Sequence, residues 1–203
     1  MKALIFSGGR FSGIPEWIKV NEYDFFVAAD SGYLSAQSVG IVPDIFVGDF
    51  DSLSEIEVKS KEIIRLLPIK DMTDTQEAID VAAARGAKEI TILGALGGRI
   101  DHAIANLHLL KYGRKKGLSI KIEDCDSSVS LITKPTRIKK RPGFCLSLIP
   151  LTDCNGVSIS GVFYPLENAS MPVGNPYGIS NEFVDDALIE VKTGDMLLML
   201  CKS

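Results

Sequence analysis

The sequence predicts an α/β chain: a doubly wound, mostly parallel sheet domain over residues 1–125, then a small antiparallel β-sandwich domain over 126–203. Three observations carry this. Through the first part, short apolar runs ending in Gly- or Asp-bearing turns alternate with helical stretches. Near residue 126 the helical periodicity stops. Beyond it, short strand-like runs are separated by frequent Pro, Gly and Asn turns, the pattern of a sandwich or barrel.

In order, residues 3–6 form an apolar run ending in Ser7-Gly8-Gly9. Phe25–Ala29 ends at Asp30-Ser31-Gly32, and 45–47 ends at Gly48-Asp49. Runs at 63–67, Glu89–Leu93 and 118–122 complete the set. Such short, nearly continuous apolar runs suit strands buried on both faces of a parallel sheet. The clearest helix starts after Thr73, where Thr73-x-x-Gln76 reads as a capping box. Ala78, Ile79, Ala82 and Ala83 recur at helical spacing, and Gly86 ends the element. A second stripe, Ala103, Leu107 and Leu110, is expected to stop at Gly113. In the second part, strands are expected at 129–133, 144–149, 157–160, 188–191 and 196–201. Pro142-Gly143, Asn155-Gly156, Asn175-Pro176 and Thr193-Gly194 are among the turns between them. A β unit this small is expected to lean on the first domain or on another subunit.

Composition narrows the function classes. The chain has 203 residues, 46% of them hydrophobic, which is enough to bury a core and excludes general disorder. A net charge of −4 gives no bulk electrostatic reason to coat nucleic acid or an anionic membrane. Lys139-Lys140-Arg141 reads as a solvated turn. Lys2 is followed by only four apolar residues before Ser7, short of the roughly 7–15 of a secretory segment. No run approaches the roughly 20 residues of a membrane span. The four cysteines, Cys125, Cys145, Cys154 and Cys201, form no CxxC pair, so reduced thiols in a cytoplasmic protein are expected. His102 and His108 are six apart and would not share a helical face, which leaves zinc poorly supported.

Chemistry gathers at the expected strand ends. Asp30 follows the second strand; Asp49 and Asp51, in Gly48-Asp49-Phe50-Asp51-Ser52, follow the third. Asp71 and Asp74 precede the capped helix, and Asp101 precedes the next. The carboxyl ends of strands in an open parallel sheet are where ligands bind. A single Asp there serves as a cap or turn former. Several converging carboxylates repel one another unless a cation neutralises them, and hard oxygen ligands beside phosphates suit Mg²⁺. A loop lets both Asp49 and Asp51 reach one ion. The second signal is Gly94-Ala95-Leu96-Gly97-Gly98-Arg99-Ile100-Asp101-His102, a glycine loop between strand and helix. It lets backbone amides approach an anion, and Arg99 adds a planar cationic fork. It is neither a Walker A loop nor GxGxxG. Ser7-Gly8-Gly9 is a weaker feature of the same type.

These segments resemble the thiamine pyrophosphokinase (thiamine diphosphokinase) family, especially its bacterial members. They are Ala29-Asp30-Ser31-Gly32, the stretch from Pro43 to Ser52 with its Gly-Asp-Phe-Asp-Ser core, Lys70-Asp71-Met72-Thr73-Asp74, and Gly94 to His102 followed by Asn106. Ser147-Leu148-Ile149-Pro150-Leu151, Gly161-Val162-Phe163-Tyr164-Pro165-Leu166 and Ile179-Ser180-Asn181-Glu182-Phe183 extend the likeness over nearly the whole chain. The resemblance implies an ATP- and Mg²⁺-binding catalytic domain, a thiamine-binding β-sandwich, and a homodimer with an intersubunit active site. It implies transfer of the terminal pyrophosphoryl group of ATP to the thiamine hydroxyl, giving thiamine diphosphate and AMP.

Carried over residue by residue, it implies that Asp30, Asp49, Asp51 and Asp71 bind the metal. Thr73, Asp74, Gly97, Gly98 and Arg99 would contact nucleotide. Asp101, Tyr164, Ser180 and Asn181 would line the thiamine side. Asp71, Asp74 and Arg99 are the catalytic candidates, with either carboxylate able to accept the hydroxyl proton. Two departures stand out. Many members have Asp-Gly-Gly where this chain has Asp30-Ser31-Gly32, and a left-handed Ser31 would be strained. Some members carry Trp near Tyr164, which either stacks on thiamine or packs in the β core. Trp17 matches no motif and is expected to serve packing. The alternatives are a pyrophosphokinase acting on another small alcohol, such as hydroxymethyl-dihydropterin, and a non-catalytic nucleotide- or thiamine-binding protein.

Overall fold

The computed structural model describes residues 1–53, 57–67 and 71–203; Lys70 of the expected Lys70–Asp74 motif lies outside the described residues. The chain forms two compact units, Met1–Cys125 and Asp126–Ser203. Sheet dominates, and the helices described all lie in the first unit.

The first unit contains β1 (Lys2–Phe6), β2 (Phe25–Ala29), α1 (Gly32–Ser38), β3 (Ile45–Gly48), β4 (Glu62–Arg65), α2 (Asp74–Ala84), β5 (Glu89–Leu93), α3 (Ile100–Lys115) and β6 (Ser119–Asp124). Its strands run in the order β6-β5-β1-β2-β3-β4, and every pairing is parallel. β1 is therefore central, and the order reverses beside it: successive strands step outward through β2, then the chain returns to place β5 on the other side. β1 is buried from Ala3 to Phe6, and Leu4, Phe6 and Leu93 pack with Ala36 of α1. α2 contacts β1, β2 and β3, with Ala78, Ile79 and Ala82 on its buried face.

Local rules explain most of these elements. Thr73 is the N-cap of α2, its hydroxyl accepting the Gln76 amide at 3.2 Å, and Gly86 sits beyond the helix at φ +89°. Two expectations change, and one helix, α1, is additional to them. The strand expected at 63–67 is β4 at Glu62–Arg65, an edge strand that among the described strands pairs with β3 alone; its Ile63 is exposed, so its burial alternates. α1 lacks an apolar stripe of useful length and escapes periodicity; its Gly32 passes so close to Phe6 that a Cβ would lie 2.0 Å from the Phe6 carbonyl oxygen. α3 does not stop at Gly113. It runs to Lys115, and Gly117 takes the left-handed turn at φ +72°. Its buried residues are Asn106, Leu109, Leu110 and Gly113; of the expected Ala103–Leu107–Leu110 stripe Leu110 is buried, and Ala103 and Leu107 are half-buried. A Cβ on Gly113 would meet Ile120 Cδ1 at 2.3 Å, so the glycine serves the close approach of α3 to β6.

The second unit is antiparallel: β7 (Ser127–Ile132), β8 (Thr136–Ile138), β9 (Phe144–Pro150), β10 (Cys154–Val162), β11 (Leu166–Met171), β12 (Asn181–Glu190) and β13 (Met196–Lys202). The strands run β11-β10-β12-β9-β13-β7, with β8 on β12. Leu146, Leu148, Val157, Ile159, Ile189, Met196 and Leu198 form much of its core. β8 and β11 are additional to the sequence expectation, being short or largely exposed and polar; β12 begins seven residues before the expected 188–191 run. Tyr164 is 67% exposed, which removes the core reading for that ring.

Candidate active site

The loops after β1, β2, β3 and β5 and the start of α2 enclose a cleft of about 520 Å³. That lies within the roughly 300–1,000 Å³ of ligand pockets. Ser7, Gly8, Gly9 and Arg10 come from β1, Asp30 and Ser31 from β2, and Asp49 and Asp51 from β3. Thr73, Asp74 and Thr75 come from the start of α2. Gly97, Gly98, Arg99, His102 and Asn106 come from the loop and helix after β5.

Backbone geometry brings the carboxylates together. Asp30 follows β2 directly, its amide donating to the Val47 carbonyl at 2.8 Å, and sits at φ +46°. The left-handed residue is thus Asp30, a type that tolerates the region, and Ser31 is right-handed at φ −58°. Gly48 leaves room for this, since its Cβ would approach the Asp30 Cα to 3.1 Å. Phe50, at φ +71°, turns the chain so that Asp49 and Asp51 fall on one side. A bulky residue there is strained. It is held by Phe46, ring centroids 4.8 Å apart, and by the Arg65 guanidinium 4.4 Å over its ring.

Asp30, Asp49 and Asp51 each offer an oxygen, all within 4.8 Å of one another. Asp30 Oδ1 is buried and has no hydrogen-bond partner among the described residues. A buried acceptor without a donor, beside two more carboxylates, fits a hard divalent cation such as Mg²⁺. Asp71 is exposed ahead of α2 and does not join the three.

The glycine loop is braced from below. Asn106, 6% exposed, donates from Nδ2 to the Ala95 carbonyl at 2.9 Å. The Ser7 and Thr75 hydroxyls meet at 2.7 Å in a buried contact, tying the β1 loop to the start of α2. Arg99 is the residue before α3 and closes its fork on Asp101: Nε to Oδ1 at 3.2 Å and Nη2 to Oδ2 at 2.6 Å. The Arg99 hydrogen bond, followed by the His102 amide, lowers the Asp101 carboxyl to about 2. Arg99 itself is raised by the same pair.

In the second unit, Tyr164, Ser180 and Asn181 lie close together. A bulge at Gly161, φ +76°, shifts the β10–β12 register just before Val162. The Asn181 amide spans the Tyr164 backbone, accepting its N–H at 2.9 Å and donating to its carbonyl at 2.8 Å. Ser180 is left-handed at φ +57°, its amide held by the buried Ser147 hydroxyl at 3.0 Å. The Tyr164 and Phe163 rings are exposed and meet edge to face at 4.9 Å. Within the first unit, Trp17 donates from Nε1 to the buried Glu123 at 2.9 Å.

Arg10 and Thr75 also line the cleft, although sequence reasoning assigned them no role there, and so does His102, which closes the glycine-loop motif but was assigned no role. A signal existed for Arg10: Gly8-Gly9-Arg10 repeats the Gly97-Gly98-Arg99 tripeptide at the end of another strand.

Comparison with known proteins places these units side by side with one family. Residues 18–122 match the thiamin pyrophosphokinase catalytic domain, and residues 135–198 match the thiamin pyrophosphokinase vitamin B1 binding domain. The chain is 30% identical over 191 residues to a thiamine pyrophosphokinase of Bacillus subtilis, covering 89% of this chain and 88% of that protein. A thiamin pyrophosphokinase family protein from Enterococcus faecalis superposes with a TM-score of 0.89 at 31% identity, covering all of both chains. The crystal structure of thiamine pyrophosphokinase from Bacillus subtilis gives 0.86 at 25% identity, again over all of both chains.

Proposed function

The chain belongs to the thiamin pyrophosphokinase family, and from that premise we propose that it transfers the terminal pyrophosphoryl group of ATP to the hydroxyl of thiamine. The products are thiamine diphosphate and AMP. The observation that carries the reading within this chain is the joining of three carboxylates, two of them from Asp49-Phe50-Asp51, with a glycine–arginine loop in one cleft. Residues 1–125 serve as the catalytic domain and 126–203, a β-sandwich, as the thiamine-binding domain.

In this reading Asp30, Asp49 and Asp51 hold Mg²⁺, with Asp71 the outlying carboxylate of the set. The ion, when bound, neutralises charge on the phosphate oxygens. Thr73, Asp74, Gly97 and Gly98 bind the nucleotide: the α2 N-terminus and the glycine loop offer backbone amides to anions. Arg99 exchanges Asp101 for phosphate, an exchange with a small cost because the pair is exposed. The thiamine hydroxyl attacks the β-phosphorus as the bond to the α–β bridging oxygen breaks and AMP leaves. Its proton passes to Asp74, which lines the cleft, or to Asp71. Asp101, Ser180 and Asn181 orient thiamine, and the exposed Tyr164 ring stacks on it. Asn181 acts through Tyr164, because its amide is engaged by that residue's backbone.

A homodimer completes the site in this proposal, supported by the exposed Phe163, Tyr164, Tyr177, Ile179 and Val184 of the second unit. Four free thiols support a reducing, cytoplasmic setting. No described helix is long and apolar enough to cross a membrane. Incubation with ATP, Mg²⁺ and thiamine is expected to yield AMP and thiamine diphosphate in equal amounts. ADP as the sole nucleotide product would overturn the reading.

A further inference from the structure

We propose that Arg10 is a second phosphate-binding arginine of the cleft, directed at the pyrophosphoryl group that is transferred. The inference rests on the cleft being the ATP site.

Gly8-Gly9-Arg10 and Gly97-Gly98-Arg99 follow β1 and β5, neighbouring parallel strands at the point where the strand order reverses. That point is where open parallel sheets place their ligands. The two loops are joined through their backbones: Gly9 N–H donates to the Gly94 carbonyl at 2.9 Å and Arg10 N–H to the Gly97 carbonyl at 3.2 Å. Glycine is required on both sides of the contact. A Cβ at Gly9 would lie 2.5 Å from the Gly94 oxygen, and one at Gly97 would lie 2.4 Å from the Arg10 Cβ. The root of the Arg10 side chain is thereby fixed at the cleft wall, in the space a side chain at position 97 would fill.

The two guanidinium groups differ in what they touch. Arg99 is closed on Asp101 by two hydrogen bonds. Arg10 is exposed and lines the cleft, and its guanidinium has no hydrogen-bond or ion-pair partner among the described residues. Five uncommitted donors in a planar fork, beside a three-carboxylate cluster suited to Mg²⁺, suit the oxygens of a polyphosphate. Thiamine carries a cationic thiazolium ring, so the same charge disfavours a thiamine contact. Arg10 also lies on the β1 loop, whereas the nucleotide-side residues Thr73 and Asp74 lie on α2. It therefore adds a separate wall to the site.

The test uses the full chain with Arg10→Ala and Arg10→Lys. Steady-state kinetics gives KM for ATP and for thiamine, and calorimetry in Mg²⁺ buffer gives binding of pyrophosphate and of AMP. Arg10→Ala is expected to raise the ATP KM and weaken pyrophosphate binding by about tenfold each, the effect of losing one charged hydrogen bond. Thiamine KM and AMP binding stay within twofold. Arg10→Lys recovers part of the loss, since it keeps charge without the fork. Loss of thermal stability without a selective change in ATP KM would identify a structural role and overturn the proposal. Unchanged pyrophosphate binding, or equal weakening of AMP and pyrophosphate, would also overturn it. A wild-type chain that binds neither ATP nor pyrophosphate would instead overturn the functional reading of the cleft.

Discussion

Asp30, Phe50 and Ser180 are non-glycine residues at positive φ, and each lies beside a group assigned to the reaction. Such conformations cost of order 1–3 kcal/mol and persist where the surroundings over-determine them. Here the causes can be named: the Val47 carbonyl and Gly48 for Asp30, Phe46 and Arg65 for Phe50, Ser147 for Ser180. The carboxylates were legible from residue type and position alone. Which residue of Asp30-Ser31-Gly32 turns left-handed was not, because that depends on where the neighbouring strand puts its carbonyl. Asp49→Asn keeps the shape of the loop and removes one charge from the cluster. Turnover in saturating Mg²⁺ is expected to fall by roughly 10²–10³-fold, the scale of losing one preorganised electrostatic group. Full turnover would remove Asp49 from the metal set. Asp101 makes a second residue-scale prediction. Its carboxyl is depressed to about 2 from 3.8, first by the Arg99 hydrogen bond. A depressed acid contributes stability that is present above its unfolded value and is lost as pH falls through the folded one. The pair therefore stays intact at neutral pH and opens between about pH 4 and 2. A carbon-detected titration of Asp101 should show a midpoint near 2, and an Arg99→Ala variant should return it toward 3.8. A wild-type midpoint at the ordinary value would mean that the pair does not form in solution.

Elements with one clear period were legible, and those shaped by a neighbour were not. α2 has a capping threonine, an apolar face and a closing glycine, and folds as those signals direct. α3 shows the limit: Gly113 reads as a stop, yet the helix continues to Lys115 because the residue faces β6. Replacing Gly113 by Ala sets two effects against each other. Alanine favours a helix by about 1 kcal/mol over glycine. The added methyl, 2.3 Å from Ile120 Cδ1 and 2.6 Å from Cγ1, overpacks a buried contact at a cost of about 1–3 kcal/mol. The packing cost is expected to win, lowering the denaturant midpoint. Ile120→Val in the same chain removes Cδ1 and should recover part of the loss. A Gly113→Ala variant more stable than wild type would show that α3 and β6 stand further apart. β4 follows similar logic: its apolar residues suggested burial on both faces, but an edge position leaves Ile63 in water.

At the scale of the molecule, two units carry different parts of the proposed chemistry. The first has the carboxylates and the glycine loops; the second presents Tyr164 in the turn that follows the bulged strand β10, with Asn181 beside it. A small β unit with several exposed aromatic and aliphatic side chains is expected to be covered by a second copy, so light scattering should give twice the mass of one chain. A monomer at assay concentrations would overturn the intersubunit site. The sequence by itself determined the positions of most strands and which loops carry the carboxylates, glycines and arginines of the cleft. Those follow from local properties: side-chain polarity, period and turn preference. Only the tertiary structure decided that β1 and β5 lie side by side, so that Arg10 joins the cleft and Asp30 meets Asp49 and Asp51. Only it decided that Asn181 is spent on the Tyr164 backbone. The physical reason is the same throughout. A residue's type sets which partners it can satisfy, but which partner arrives is set by strand order and by close approaches of distant backbone, and a linear pattern does not encode those directly.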